Sequence, residues 1–366
     1  MKKILFLTTY AAPDRVMFFD ELAKDAQVTV LFSDRKENQS HRAKEWFVDG
    51  EGRFQGVQLE NCVFSRNGKH LCLDVLDWLK KPWDEIVLSG YSCPTVMLSM
   101  LYLRLRGIPF WMEVDGGLIR QDSKLKYWYK RLLVGSASGW ISSGKATTDY
   151  LVHYGARREA VREYPFSSLR EADILPEILT PEQKQQIRQE LNLEDGRMIL
   201  SIGQFIHRKG FDVLLQAAAS LPEDVRIHIV GGEPTQEYLD MVRDLGLKNI
   251  CFDGFMPKQK LLRYYQAADL FVLPTREDIW GLVINEAMAY GLPVVTTDRC
   301  VAGLDLVEND VNGCIVPVND AAALASGMKA VLAGDLMQMG KVSLAKIRPY
   351  TIENMAKVHM EIFEEK

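Results

Sequence analysis

Short apolar runs alternate with amphipathic stretches along the whole chain. Continuous apolar runs bounded by turn residues read as buried strands. In the first half they fall at Lys3 to Thr9, Val28 to Phe32, Glu85 to Ser89, Phe110 to Val114 and Gly139 to Ser142. A second series opens at Met198 to Gln204 and continues at Val225 to Val230, Ile250 to Phe252, Leu270 to Leu273 and Pro293 to Thr296. Helical periodicity marks Asp212 to Ser220, Gln236 to Leu245 and Lys258 to Ala267. Strands that alternate with helices need crossover connections. They therefore predict an α/β protein with parallel, doubly wound sheets covered by helices.

Between Glu171 and Gly196 the pattern breaks into a polar stretch containing Pro176 and Pro181. This predicts a first domain over 1–170, a linker over 171–196 and a second Rossmann-like domain over 197–349. The closing segment, Thr351 to Lys366, places Ile352, Met355, His359, Ile362 and Phe363 on one helical face, which needs a surface to cover.

Composition narrows the function classes. The 366 residues carry 44 Lys and Arg against 49 Asp and Glu, a net charge of −5. No global basic field supports sequence-independent nucleic-acid binding. The basic start, Met1-Lys2-Lys3, precedes an apolar run too short for an export signal, and Ala11-Ala12-Pro13 follows it, so a first buried strand is expected there. No apolar segment approaches the length of a bilayer span. Cys62, Cys72, Cys93, Cys251, Cys300 and Cys314 show no CxxC or metal-finger spacing, so reduced, buried thiols in a cytoplasmic protein are expected.

The richest segment runs from Pro274 to Val295. A buried strand enters the acidic loop Arg276-Glu277-Asp278, Gly281 opens a helix, Glu286 sits inside it, and Gly291-Leu292-Pro293 closes it before the next strand. The free N–H groups and positive dipole end of such a helix suit a phosphate. Carboxylates on either side are placed to accept hydrogen bonds from sugar hydroxyls. The two features together describe a site for a sugar nucleotide.

This segment resembles the signature of retaining family-4 glycosyltransferases, in which two acidic residues flank a Gly-Leu-Val core and an Ala-Met-Ala helix. The pair corresponds here to Asp278 and Glu286, with Asp where the family usually has Glu and with Glu277 adjacent. The resemblance implies the GT-B architecture, two Rossmann-like domains facing a cleft, with the closing helix 350–366 crossing back onto the first domain. It further implies that Asp278 holds the donor sugar, Glu286 the ribose hydroxyls, and the backbone at Gly281, Leu282 and Val283 the sugar pocket.

The loop Gly203-Gln204-Phe205-Ile206-His207-Arg208-Lys209-Gly210 follows a strand, where an α/β sheet places its ligands. Adjacent ammonium and guanidinium groups there match a diphosphate. It resembles the family's Arg…Lys-Gly element, with Lys209 as the lysine. Gln204 stands where an arginine is common, and Arg208 supplies the guanidinium instead. These cations and the amides at Gly281 would stabilise a leaving diphosphate, and the chain has no DxD motif, so no metal or cofactor is expected. Asp253-Gly254-Phe255 resembles the segment that reads the base, although Phe255 reads equally as core. Gly231-Gly232 reads either as a lining of the same site or as a plain turn.

The first half carries fewer matches, as expected of a part that recognises a variable acceptor. Asp115, before Gly116-Gly117, is the candidate polar group for the acceptor hydroxyl or a donor sugar oxygen, and reads equally as a turn aspartate. Over 120–133, lysines and arginines alternate with Leu125, Trp128, Tyr129, Leu132 and Leu133 at helical spacing. Two readings stand, an apolar face against the sheet or a face resting on an anionic membrane. Gly139 to Ala146 fails as a phosphate-binding loop because Ala146 occupies the Mg²⁺ hydroxyl position, and neither Gly203 nor Gly231 starts a GxGxxG.

The resemblance therefore implies a retaining, metal-independent transferase using a nucleotide-diphosphate sugar, UDP-linked by default, and a glycan or lipid-linked acceptor. Bacterial surface polysaccharide synthesis, in the cytoplasm or at the inner face of the membrane, is the expected setting. Two other functions remain open on the residues: a nucleotide-sugar epimerase or hydrolase of the same fold, and a non-catalytic nucleotide-binding subunit.

Overall fold

The computed structural model describes residues 1–34, 52–66 and 69–365. They form two compact units, Met1–Ser168 with Tyr350–Lys366, and Leu169–Pro349.

Among the described residues, the first unit holds nine strands: β1 (Lys3–Thr8), β2 (Gln27–Phe32), β3 (Gln55–Gln58), β4 (Cys62–Arg66), β5 (Lys69–Cys72), β6 (Glu85–Ser89), β7 (Trp111–Val114), β8 (Gly139–Ser142) and β9 (Val161–Glu163). Seven form a parallel sheet in the order β3-β2-β1-β6-β7-β8-β9, while β4 and β5 pair as an antiparallel hairpin. Ile4, Leu5, Phe6 and Leu7 are fully buried, because a parallel strand with helices on both faces has no solvent side. Each such side chain contributes about 1.5–3 kcal/mol. The helix Ile352–Glu364 lays Met355, His359, Ile362 and Phe363 inward and packs against the helix Pro13–Leu22 of this unit. A cavity of about 630 Å³ lies at the amino ends of β1, β2 and β3, between Trp78, Trp83 and Lys81, and away from the carboxyl-end loops.

The second unit contains β10 (Arg197–Ile202), β11 (Val225–Val230), β12 (Ile250–Phe252), β13 (Leu270–Leu273), β14 (Val294–Thr297) and β15 (Gly313–Val316). All are parallel, in the order β12-β11-β10-β13-β14-β15. The chain starts at β10, builds outward to β12, then returns to β10's other side with β13. The carboxyl ends of β10 and β13 therefore flank the point where winding reverses, the place where such sheets bind ligands.

Two expectations need correction. The stretch 171–196 is not a free linker. It carries the helix Pro181–Glu190, whose Arg188 bonds Asp269 Oδ2 at 2.6 Å and Ala267 O at 2.9 Å, and whose Lys184 bonds Ala268 O at 2.7 Å. Its polar composition reflects a helix that faces mainly water and attaches through cations. Nor are all six cysteines thiols: Cys62 and Cys72 face each other across β4 and β5 and form a disulfide. The hairpin register brings them together, and their spacing in the chain carries no known signature.

Candidate functional site

The site begins with two loops that bind each other. After β10 the chain turns through His207–Lys209 to Gly210, which has φ of 71° and lies so close to Pro274 that a Cβ would meet the Pro274 carbonyl oxygen at 2.1 Å. Only glycine permits both the left-handed turn and this approach. The Arg208 carbonyl accepts from Arg276 N (2.8 Å) and Thr275 Oγ1 (2.9 Å), and Arg276 grips Asp212 through two bonds of 2.8 and 2.6 Å. The loop after β10 is thus fixed to the loop after β13 before any ligand enters.

This clamp brings the predicted charges together. Lys209 Nζ donates to Asp278 Oδ2 at 2.6 Å, and Arg208 Nη1 lies 3.3 Å from Asp278 Oδ1. Arg208 Nη1 also donates to the Glu277 carbonyl at 2.8 Å, so Glu277 takes part through its backbone. The Lys209 stem lies across Gly203, where a Cβ would stand 3.2 Å from Lys209 Cδ. Lys209 and Asp278 are largely buried, whereas Arg208 is half exposed. Gln204 is exposed beside them.

Asp278 is pinned by its own backbone, with its N–H donating to Arg299 O (2.9 Å) and its carbonyl accepting from Val301 N (3.2 Å). Gly281, with φ of 106°, caps the helix Leu282–Ala289, and a Cβ there would come within 2.8 Å of Cys300 Sγ. Burial, with the Asp278 charge adding to it, pushes the Cys300 thiol up to about 12, so this sulfur is neutral packing under the helix start. Leu282 and Val283 are half-buried.

Glu286 follows one turn into the helix and is half-buried. Its Oε2 accepts from the Tyr265 hydroxyl at 2.7 Å. Tyr265 is fully buried and its ring stacks on Tyr290 at 5.6 Å, with 5° between planes. Burial and then the Glu286 charge push the Tyr265 phenol well above its ordinary value, so it remains a donor.

The remaining predicted residues of this unit lie on adjacent loops. Gly231 N donates to Gly254 O at 2.9 Å, and a Cβ on Gly231 would stand 2.3 Å from the Gly203 carbonyl oxygen, so these loops and the Lys209 loop are contiguous. Gly232 faces open space. Phe255 is 71% exposed and is therefore not core. Asp253, two positions earlier, accepts from Tyr264 OH at 3.0 Å and pairs with His228 Nδ1 at 2.9 Å, which fixes the base of its loop.

Asp115 belongs to the first unit. It accepts from Tyr164 OH at 2.7 Å and lies 3.7 Å from Arg15 Nη1, with 40% of its side chain exposed. Desolvation pushes its carboxyl upward, Arg15 opposes this, and the Glu113 charge adds to it. Beneath it Arg15 forms a two-pronged pair with the buried Glu113 at 2.9 and 2.5 Å. Ser89 Oγ donates to Glu113 at 3.1 Å, and His359 Nε2 lies 3.3 Å away. Burial would raise the Glu113 carboxyl, but Arg15 and then His359 outweigh it and hold it well below the usual carboxylate range. Asp115 therefore stands on a braced base.

Sequence reasoning missed Tyr265, Asp212, Arg276 and the Arg15–Glu113–His359 group. Arg276 lies in the acidic loop and His359 on the closing helix, but each of these groups finds its partner only across the fold.

Comparison with known proteins follows the same division. The sucrose-phosphate synthase of Thermosynechococcus elongatus superposes with a TM-score of 0.76 at 18% identity, covering 100% of this chain and 99% of that one. HepE of Anabaena, solved in complex with UDP and glucose, gives 0.72 at 19% identity over 99% of each chain. The fold is thus α/β with parallel sheets in two Rossmann-like units, like that of these GT-B glycosyltransferases. Residues 183–344, inside the second unit, match the family model described as Glycosyl transferases group 1. A D-inositol 3-phosphate glycosyltransferase of Xylanimonas cellulosilytica is 31% identical over 212 residues, 56% of this chain and 50% of that protein. The chain spans about half the length of the curated relatives it matches. The similarity in sequence to glycosyl transferases group 1 thus lies in the second unit.

Proposed function

We propose that the protein transfers a sugar from a nucleotide-diphosphate donor, UDP-linked by default, to a glycan or lipid-linked acceptor, with retention of configuration and without a metal. The observation that carries this reading is the meeting of Arg208, Lys209, Asp278 and the Gly281 helix start at the winding reversal of the second sheet.

Breaking the bond from the anomeric carbon to the diphosphate places negative charge on the leaving phosphate and positive character on the sugar. Lys209 and Arg208 face the former. Both cations pair with Asp278. A diphosphate carries more charge than one carboxylate and draws them off, which frees Asp278 to accept from donor sugar hydroxyls. The N–H groups at the helix start add fixed positive dipoles, so charge stabilisation needs no divalent cation. Glu286, held by Tyr265, takes the ribose hydroxyls, and Phe255 lies on the loop assigned to the base. Asp115, in the first unit, takes the acceptor hydroxyl. Assembly of bacterial surface polysaccharide, at the cytoplasmic side of the membrane, is the setting that best fits a cytosolic nucleotide-sugar donor and a lipid-linked acceptor.

The test is incubation of purified protein with UDP-, GDP- and ADP-sugars and candidate acceptors. Acceptor-dependent release of nucleotide, unchanged by a chelator, is expected, with the anomeric configuration of the product read by NMR. Isomerised donor, or binding without turnover, would overturn the transferase reading.

A further inference from the structure

The helix Lys124–Val134 keeps its apolar stripe outside the protein. Leu125, Trp128, Tyr129 and Leu132 recur at the spacing of one helical face and are 83, 64, 49 and 61% exposed. The sequence alone left open a face packed on the sheet, but only Val134 of this helix is buried. The stripe continues onto a second element. The Tyr129 hydroxyl lies 3.2 Å from Met97 Sδ, and Met97 begins a run on the helix Pro94–Leu105 that recurs at Leu101 and Leu105, 56 and 76% exposed. Large apolar groups gathered outside the core mark a surface that meets an apolar partner.

Charge selects that partner. Neither helix contains Asp or Glu, and together they carry Arg104, Lys124, Lys126, Lys130 and Arg131, in a chain whose net charge is −5. Lys126 and Lys130 hold Asp122 at 2.8 and 2.7 Å, which fixes the entry to the second helix. An aromatic and aliphatic stripe beside cations complements an anionic bilayer. Apolar side chains enter the acyl boundary, Trp and Tyr rings take the headgroup level, and the cations meet phosphates.

We propose that the first unit docks on an anionic lipid surface through the stripe of Leu125, Trp128, Tyr129 and Leu132, extended by Leu101 and Leu105. The inference adds to the proposed reaction the place where a lipid-linked acceptor is met. Its test uses neither donor nor acceptor, so failure of one reading leaves the other standing.

The full-length protein is sedimented with vesicles of phosphatidylcholine, with or without phosphatidylglycerol. Binding to the anionic vesicles is expected, with a loss of about tenfold or more in the variant carrying Leu125→Ser, Trp128→Ser and Leu132→Ser. A second variant, Lys124→Ser with Arg131→Ser, should weaken binding to the anionic vesicles and make it less sensitive to salt. Unchanged far-ultraviolet circular dichroism and melting temperature establish that the variants fold. Absence of wild-type binding, or equal binding by the apolar variant, would overturn the proposal. So would a concentration-dependent dimer that the apolar variant abolishes without any vesicle binding, since that would assign the face to a second copy of this chain.

Discussion

If Asp278 is the resting counter-ion of the cations that take the diphosphate, Asp278→Asn should move binding and turnover in opposite directions. Lys209 Nζ sits 2.6 Å from Asp278 Oδ2, with 13 and 15% of the two side chains exposed, so solvent screens this pair only in part. A hydrogen bond to a charged group contributes about 1.5–3 kcal/mol net, and a neutral one about 1 kcal/mol. Asparagine keeps the shape and a neutral acceptor, so a diphosphate that draws Lys209 away has about 0.5–2 kcal/mol less to overcome. UDP should therefore bind the variant about 2- to 30-fold more tightly by calorimetry. Turnover should fall, because the carboxylate that accepts from the donor sugar is gone. The backbone bonds of Asp278 to Arg299 and Val301 are untouched, so the loop should keep its path. Weaker or unchanged UDP binding in a variant with wild-type melting behaviour would refute the shared pocket.

Other outcomes test the same geometry. Lys209→Ala should lower kcat by about 10²- to 10³-fold through lost stabilisation of the leaving phosphate, read under saturating donor. Glu286→Gln and Tyr265→Phe should mainly raise the donor KM, the latter about 5- to 10-fold for one hydrogen bond, and a donor lacking the ribose hydroxyls should bind wild type and variants alike. In the first unit, Arg15→Met should leave Glu113 buried with a poorer partner and cost about 3–5 kcal/mol, seen as a lower Tm at pH 7. Because the folded protein depresses the Glu113 carboxyl, that stabilisation is present above the unfolded value of about 4.3 and is lost as pH falls below it. The Tm difference between wild type and Arg15→Met should accordingly narrow in strong acid, and a gap that widened would refute the assignment.

The main strands were legible because parallel, doubly covered strands leave continuous apolar runs, as at Ile4 to Leu7 and Leu270 to Leu273. The helix Lys258–Ala267 was expected with the bounds it has. The short edge strands β3, β9 and β15 and the hairpin of β4 and β5 carry too few residues, or too weak an alternation, to stand out from loops. Phe255 could be read as core until its exposure excluded that reading.

By itself the sequence determined which chemical groups follow which strands. Strand, loop and helix start are local, so Lys209 after β10 and Asp278 and Gly281 after β13 could be placed from neighbouring residues alone. Tertiary structure decided which groups meet. Strand order set the loops of β10 and β13 side by side, helix packing carried the Tyr265 hydroxyl to Glu286, and hairpin register joined Cys62 to Cys72. It also decided which side of the helix Lys124–Val134 faces water. Helical periodicity reports that two faces differ, and it is the same whether the apolar face turns toward the sheet or away. Only the packing of neighbouring elements breaks that symmetry.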